Sequence, residues 1–254
     1  MIDLAAIAAI ERSARAGLPA TIEEGVGKWV LRVSGGTTKR VNSANPVAPD
    51  ACIEPVIERA EAFYRAHGQP TRFRLTPLAN PSVDALLAER GYERIEESLT
   101  MTAPLAARPL DPAVRLPPSV DEGWCASFAA VSGWSAADDE CHRSLLARAG
   151  AIAAATLVED GQTLGYGVGS LAEGRLCLFD IATVAPARGR GIGRRLVASL
   201  MGWGAAAGAT QAVLQVLASN AGARRLYAAL GFTDAYPYHY RIRSGDQRGD
   251  LGEG

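Results

Sequence analysis

An apolar run from Leu176 to Val184 breaks into Ala-Pro-Ala-Arg188-Gly-Arg-Gly-Ile-Gly-Arg-Arg195, and a helical pattern follows at once. The run carries a single charge, Asp180, and has the length and composition of a strand covered on both faces. Leu196, Val197, Leu200 and Trp203 then recur at helical spacing until Gly208 supplies a stop. Glycines at 189, 191 and 193 leave main-chain N–H groups bare at the point where a helix begins. A helix start carries unpaired donors and the positive end of the dipole, so the junction reads as a cradle for a pyrophosphate. A strand that passes through such a turn into a helix is a junction of alternating strand and helix.

The spacing narrows the ligand. A Walker loop needs Lys and then Ser or Thr, whereas Arg194 and Arg195 follow Gly193. A dinucleotide fold needs Gly-x-Gly-x-x-Gly and an acid about 20 residues further on. Here the pattern is Gly189-x-Gly191-x-Gly193, and no Asp or Glu occurs from Ile181 to Thr233. That segment holds Arg188, Arg190, Arg194, Arg195, Arg224 and Arg225, inside a chain of formal charge −1. A positive field this local suits a small polyanion and not a nucleic acid, which demands an extended basic surface.

Arg188-x-x-Gly191-x-Gly193 after a strand, followed by Asn220, Tyr227 and Gly231-Phe232, resembles the GNAT superfamily of acetyl-CoA-dependent N-acetyltransferases. The resemblance covers residues 109–243. It implies a strand that splays from its neighbour so that its free amides take the pantetheine arm, with the turn amides on the pyrophosphate. Thr183, Val184, Arg188, Gly189, Arg190, Gly191, Ile192, Gly193, Arg194, Asn220 and Tyr227 would then hold acetyl-CoA, without a metal. It further implies that Tyr227 protonates the departing thiolate and that Asp180 is the base toward the amine, directly or through water. Amides near Val184 would polarise the thioester. Tyr227 lies seven residues past Asn220, two helical turns on and so on the same face. Strand alternation puts Asp180 on the face of Leu178, Ala182 and Val184, where an unpaired carboxylate is costly.

The chain also matches itself at an offset of 140 residues, aligning Pro46 with Pro186, Gly68 with Gly208, Asn80 with Asn220, and Gly91-Tyr92 with Gly231-Phe232. A duplicated domain is the simplest account. The first copy has Ala51 and Ile53 opposite Gly191 and Gly193, Pro49 and Asp50 opposite Gly189 and Arg190, Leu87 opposite Tyr227, and Arg40 opposite Asp180. Side chains, a lost donor and a negative charge there speak against phosphate binding. The expected fold is therefore α/β, two GNAT-like domains, each a mixed and mostly antiparallel sheet with helices on both faces. Residues 1–105 form the degenerate copy, 106–119 a Pro-rich linker with a possible first strand at 113–116, 109–243 the catalytic domain, and 244–254 a flexible tail.

Composition agrees with two ordinary globular cores. The apolar start from Met1 to Ile10 lacks a basic leader and continues as an amphipathic helix, and glycines divide Leu196–Ser219 into helix and strand, so no membrane association is expected. Cys52, Cys125, Cys141 and Cys177 show no metal-site spacing and fit a reducing cytoplasm. Cys141-His142 reads as a surface pair. Trp124, Trp134, Tyr236, Tyr238 and His239 are candidates to line an acceptor groove, with Asp138-Asp139-Glu140 at its mouth. The function expected is acetyl transfer to a small-molecule amine, by a monomer or homodimer. The alternatives are a protein N-terminal or lysine acetyltransferase and a non-catalytic acyl-CoA-binding module.

Overall fold

The computed structural model describes residues 3–243, so the tail expected at 244–254 lies outside the described residues. The chain forms two compact units that interleave in sequence. One takes the residues up to Arg12, Ala20–Leu99 and those from Tyr236 on; the other takes Ser13–Pro19 and Thr100–Ala235. The Pro-rich stretch therefore does not separate them: the change of unit falls inside a strand, and the last strand of the chain returns to the first unit.

The first half of the chain runs α1 (Leu4–Gly17), β1 (Ile22–Val26), β2 (Trp29–Val33), β3 (Ala44–Pro46), α2 (Ile57–Ala66), β4 (Arg72–Leu75), α3 (Val83–Glu89) and β5 (Tyr92–Pro104). The second half runs β6 (Val114–Arg115), α4 (Glu122–Ser132), α5 (Ala136–Arg148), β7 (Ile152–Glu159), β8 (Gln162–Ala172), β9 (Arg175–Thr183), α6 (Ile192–Ala206), β10 (Gln211–Leu217), α7 (Ala221–Ala228) and β11 (Thr233–Arg243). No described helix is long and apolar enough to cross a membrane.

In the first unit the strand order is β1-β2-β3-β4-β11-β5, and in the second it is β5-β10-β9-β8-β7-β6. Each unit contains one parallel pair, β3 with β4 and β9 with β10, beside antiparallel hairpins. The offset of 140 is borne by the elements after Gly68: β4 answers β10, α3 answers α7, and β5 answers β11. Gly68 and Gly208, and Gly91 and Gly231, all have positive φ at the matching stops. The Pro46 anchor fits less well, since Pro46 ends β3 whereas Pro186 sits in a 3₁₀ turn beyond β9.

Trp29, Phe73 and Tyr92 meet edge to face at the centre of the first unit, with Tyr64 fully buried beside them. Arg74 on β4 bonds Glu11 of α1 through two hydrogen bonds, and the Tyr236 hydroxyl donates to the same carboxylate at 2.7 Å. Asn42 is buried and ties its own loop, accepting from Ser34 and Gly35 N–H and donating to Gly35 and Thr38 carbonyls.

On α3, Asp84 accepts from Arg241 Nε and His239 Nε2, both at 2.7 Å. The Arg241 bond foremost, then His239, hold its carboxyl down from 3.8 to about 2 against the opposing effect of burial. The folded value is below the unfolded one, so this contribution to stability is present above about pH 4 and is lost as pH falls toward 2. Asp84→Asn should lower the urea midpoint at pH 6 and converge on the wild type near pH 2. Parallel midpoint curves across that range would refute the assignment.

Candidate functional site

The parallel pairing of β9 with β10 runs through Arg175/Gln211, Leu176/Ala212, Cys177/Val213 and Leu178/Leu214, and there it stops. Beyond that point β9 continues to Thr183 on its β8 side alone. The cause is a bulge. Tyr166 faces Ala182 while Val168 faces Phe179, so β9 carries one residue more than β8, and Asp180 in that bulge has φ +57°. An extra residue bends the strand and increases its twist, which carries its end away from β10. Alternation is therefore broken across the bulge, and the face expected to be shared with Leu178 is lost: Leu178 lies opposite Gly169 on the α6 side, whereas Asp180 reaches His142 on the other side, where Ala182 lies opposite Tyr166.

Val184 N–H, expected near a thioester oxygen, is already engaged: it donates to Leu164 O at 3.0 Å. Successive N–H groups along a strand point to opposite edges, so the Thr183 amide faces the open side. After Val184 the chain makes a 3₁₀ turn over Ala185–Ala187, and the N–H groups of Arg188 and Arg190 close back onto Ala185 and Ala187 carbonyls. Gly191 is the N-cap of α6 at φ +77°, with no side chain capping the helix. The first bond inside the helix is Arg195 N–H to Gly191 O, which leaves Ile192, Gly193 and Arg194 N–H without an intrahelical acceptor.

The glycines have different reasons to be there. Gly191 needs its left-handed backbone, and a Cβ would meet nothing within 4 Å, so the space above it is open. Gly193 is not part of that opening: a Cβ would lie 2.9 Å from Leu226 Cδ1, so it is a packing contact between α6 and α7.

Burial and pairing also sort the arginines. Arg195 bonds Asp111 at 2.6 and 3.1 Å and also Glu159, which hold it well above its ordinary range, and Asp111 is lowered in return. Arg190 pairs with Glu159 at 3.0 Å and Arg224 with Asp234 at 3.2 Å. Arg188, Arg194 and Arg225 remain exposed and without an ion pair among the described residues. The positive field is therefore narrower than six residues in sequence suggested, because Asp111, Glu159 and Asp234 come to it from outside the acid-free stretch.

Asp180 meets His142. His142 Nε2 lies 2.6 Å from Asp180 Oδ2, and the imidazole is buried, not at the surface. Its ring stacks on Phe128 at 5.5 Å and meets Trp134 edge-on at 4.7 Å. Sequence reasoning missed this pairing because helix α5 and strand β9 approach only in the fold; the single signal was an unpaired carboxylate in need of a partner. Trp124 is core, stacked on Phe128 and edge-on to Tyr166. Trp134 is half-buried beside the dyad. Tyr236, Tyr238 and His239 belong to the first unit, where they engage Glu11, Arg74 and Asp84. Asp138 closes a capping box with Ser135, and Asp139 pairs with Arg143.

Asn220 caps α7, its Oδ1 accepting from Ala223 N–H at 3.0 Å. Tyr227 on the same helix is buried, its ring 5.8 Å from Phe232. No group of three His, Cys, Asp or Glu side chains among the described residues is placed to hold a metal.

The matching place in the first unit is closed by its own backbone. Ala51 N–H donates to Leu78 O at 3.0 Å and Asn80 N–H to Ala51 O at 3.1 Å, across the gap that stays open beside β9. Ala51 and Ile53 are fully buried, and α2 starts only at Ile57.

A protein-family model described as "Probable histone acetyltransferase Rv0428c C-terminal" matches residues 4–242. An uncharacterized N-acetyltransferase, YobR of Bacillus subtilis, is 30% identical over 244 residues, covering 92% of this chain and 97% of its own. The structure of a GCN5-related N-acetyltransferase from Kribbella flavida superposes with a TM-score of 0.73 at 18% identity, covering 96% of this chain and 97% of that one. A tandem GNAT protein from the clavulanic acid biosynthesis pathway gives 0.60 at 15% identity, covering 84% and 77%.

The pairing pattern makes the arginines separable. Arg188→Glu and Arg194→Glu should weaken the calorimetric affinity for coenzyme A, more so at low salt, and leave the melting temperature unchanged. Arg195→Ala should lower the melting temperature, since it strands Asp111 and leaves Glu159 with Arg190 alone. The reverse pattern would contradict this division.

Proposed function

The chain belongs to the GNAT acetyltransferase family, and on that footing we propose that it is an acetyl-CoA-dependent N-acetyltransferase acting on a primary amine of a small molecule. GNAT proteins use acetyl-CoA, and one observation carries the reading for this chain: a β9 edge without a β10 partner past Leu178 leads through a 3₁₀ turn to the start of α6, where no side chain caps the helix and the space above Gly191 is open. Free strand amides suit the amide-bearing pantetheine arm, and the bare N–H groups of Gly191 to Arg194 suit its pyrophosphate. Arg188 and Arg194 add positive charge that no acid among the described residues neutralises. When bound, the coenzyme supplies an acetyl group on a thioester.

The residues of the chain do the rest. The Asp180 carboxylate takes the proton that the acceptor's ammonium must lose before its nitrogen can attack, directly or through water. The Thr183 amide, on the open edge, is oriented to stabilise negative charge on the carbonyl oxygen, a role assigned here in place of Val184. Tyr227 donates its phenolic proton to the sulfur as the C–S bond breaks. The phenol is a weak enough acid to stay protonated until then and strong enough to protonate a thiolate. Asn220, fixed by capping α7, sets the direction of the helix that carries Tyr227.

On this reading the first half of the chain is a duplicated GNAT-like copy that has lost its cradle and persists for packing. A second reading of the acceptor, a protein lysine or N-terminus, has the matched family's own description in its favour. A coenzyme-binding module without turnover is opposed by the joint presence of Asp180 and Tyr227 in the one copy whose turn is open.

Release of free thiol from acetyl-CoA, followed with putrescine, phenethylamine, lysine and a histone-tail peptide, tests the activity and separates the acceptors. Gly191→Val forces a β-branched residue into a left-handed backbone and should remove the heat of coenzyme A binding. Ala51→Val, which overfills a closed core at a cost of about 1–3 kcal/mol, should leave that heat intact. Tyr227→Phe should lower kcat by about 10²-fold or more with coenzyme affinity unchanged. Full turnover in Tyr227→Phe would remove it as the acid, and no heat from the wild type would end the proposal.

A further inference from the structure

His142 has no part in the reading above, yet it is the one hydrogen-bond partner of the Asp180 carboxylate among the described residues. An ionised carboxylate only accepts, so the Nε2 that faces Oδ2 at 2.6 Å carries the proton. The imidazole has little freedom to turn away. Phe128 of α4 lies against its face and Trp134 against its edge, and only 5% of the side chain is exposed. Asp180 itself keeps 14% exposure, and its other oxygen, Oδ1, has no hydrogen bond and is not among the fully buried unpartnered atoms. One oxygen is held and the other is open to solvent.

This matters because Asp180 sits at φ +57° in the bulge that separates β9 from β10. A left-handed residue inside a bulge has no cross-strand partner of its own on β8, and β10 no longer pairs beside it, so something else must aim its side chain. We infer that His142 is the positioning residue of the proton acceptor: Nε2–H clamps Oδ2 of Asp180, so that Oδ1 is the oxygen presented to the incoming amine. The inference rests on Asp180 being the base. His142 itself touches no substrate; it acts through the carboxylate, as outer-shell partners do when they fix the orientation of a working group.

The other ionisable groups around the pair do not compete for it. On α5, Asp139 is occupied by Arg143. On α4, the Cys125 thiol is pushed up to about 11, chiefly by burial and then by Asp139, and stays protonated. Tyr166 of β8 packs its ring against Trp124 and Phe128. His142 Nδ1 is buried without a partner, so the ring has a single directional bond and that bond is to Asp180.

His142→Gln and His142→Asn separate positioning from packing, because both are polar amides of similar character. The Gln amide nitrogen reaches the place of Nε2, whereas the Asn amide stops short of Oδ2. With the best-turned-over amine of the panel, His142→Gln should keep kcat/KM and the acidic limb of its pH profile close to wild type. His142→Asn should lose about 10- to 100-fold in kcat/KM for the amine, with coenzyme A affinity unchanged. Its pH profile should depart from that of the wild type, whereas that of His142→Gln should not. Independently of turnover, the His142 Nε2–H proton should be visible by NMR as a slowly exchanging, downfield signal that moves upfield in Asp180→Asn. Equal rates and limbs for the Gln and Asn variants, or no such signal, would overturn the role of His142 while leaving Asp180 in place. Wild-type rate and profile in Asp180→Asn would instead overturn Asp180 as the base, and this inference with it.

Discussion

One surplus residue in β9 is the constraint on which the rest of the second unit depends. Pairing with β10 is regular through Leu178, and without the bulge nothing would stop the two strands from zipping to their ends. The main-chain groups beyond that point would then be satisfied by each other, and no ligand would find them free. The bulge does two things at once. It turns the end of β9 out of the sheet, and it puts Asp180 into a left-handed conformation from which its carboxylate reaches His142 of α5. An acid in that conformation is tolerated at modest cost, since Asp is among the residues that adopt it most readily.

The first unit serves as an internal control for that view. It has the same parallel pair of strands, the same helix after it and the same final strand, in matching order. There the gap is bridged by Ala51 and Asn80 backbone bonds, and the residues that would open it are replaced by buried apolar ones. The difference between a binding edge and a structural one is thus not the fold but whether a few amides are left unsatisfied. Each unit is also completed by a strand from the other half of the chain, β11 in the first and β5 in the second. A cut between contiguous halves at the Pro-rich stretch misses this, because proline marks where regular structure breaks locally and carries no information about which sheet a later strand joins.

Electrostatics follow the same logic. Counting charges along Ile181–Thr233 gives six arginines and no acid, but Arg190, Arg195 and Arg224 are neutralised by Glu159, Asp111 and Asp234 from neighbouring segments. Among the described residues Arg188, Arg194 and Arg225 remain without an ion pair, the first two at the start of α6, where no side chain caps the helix. Charge in a window of sequence is local by definition, whereas a field is a sum over whatever the fold brings close.

The sequence by itself determined the elements and the nature of the turn. The apolar run, the glycine spacing and the helix stop at Gly208 all act within a few residues of themselves, through backbone freedom and local hydrogen bonds. That is why β9, α6, β10 and α7 were legible in advance, and with them the family. Only the tertiary structure decided which amides stay free, that Val184 is not among them, that Gly193 serves packing and Gly191 conformation, and that Asp180 and His142 are partners. Those outcomes depend on register and on contacts between segments tens of residues apart. Periodicity is blind to both, because a single inserted residue in one strand reverses the face of every side chain after it.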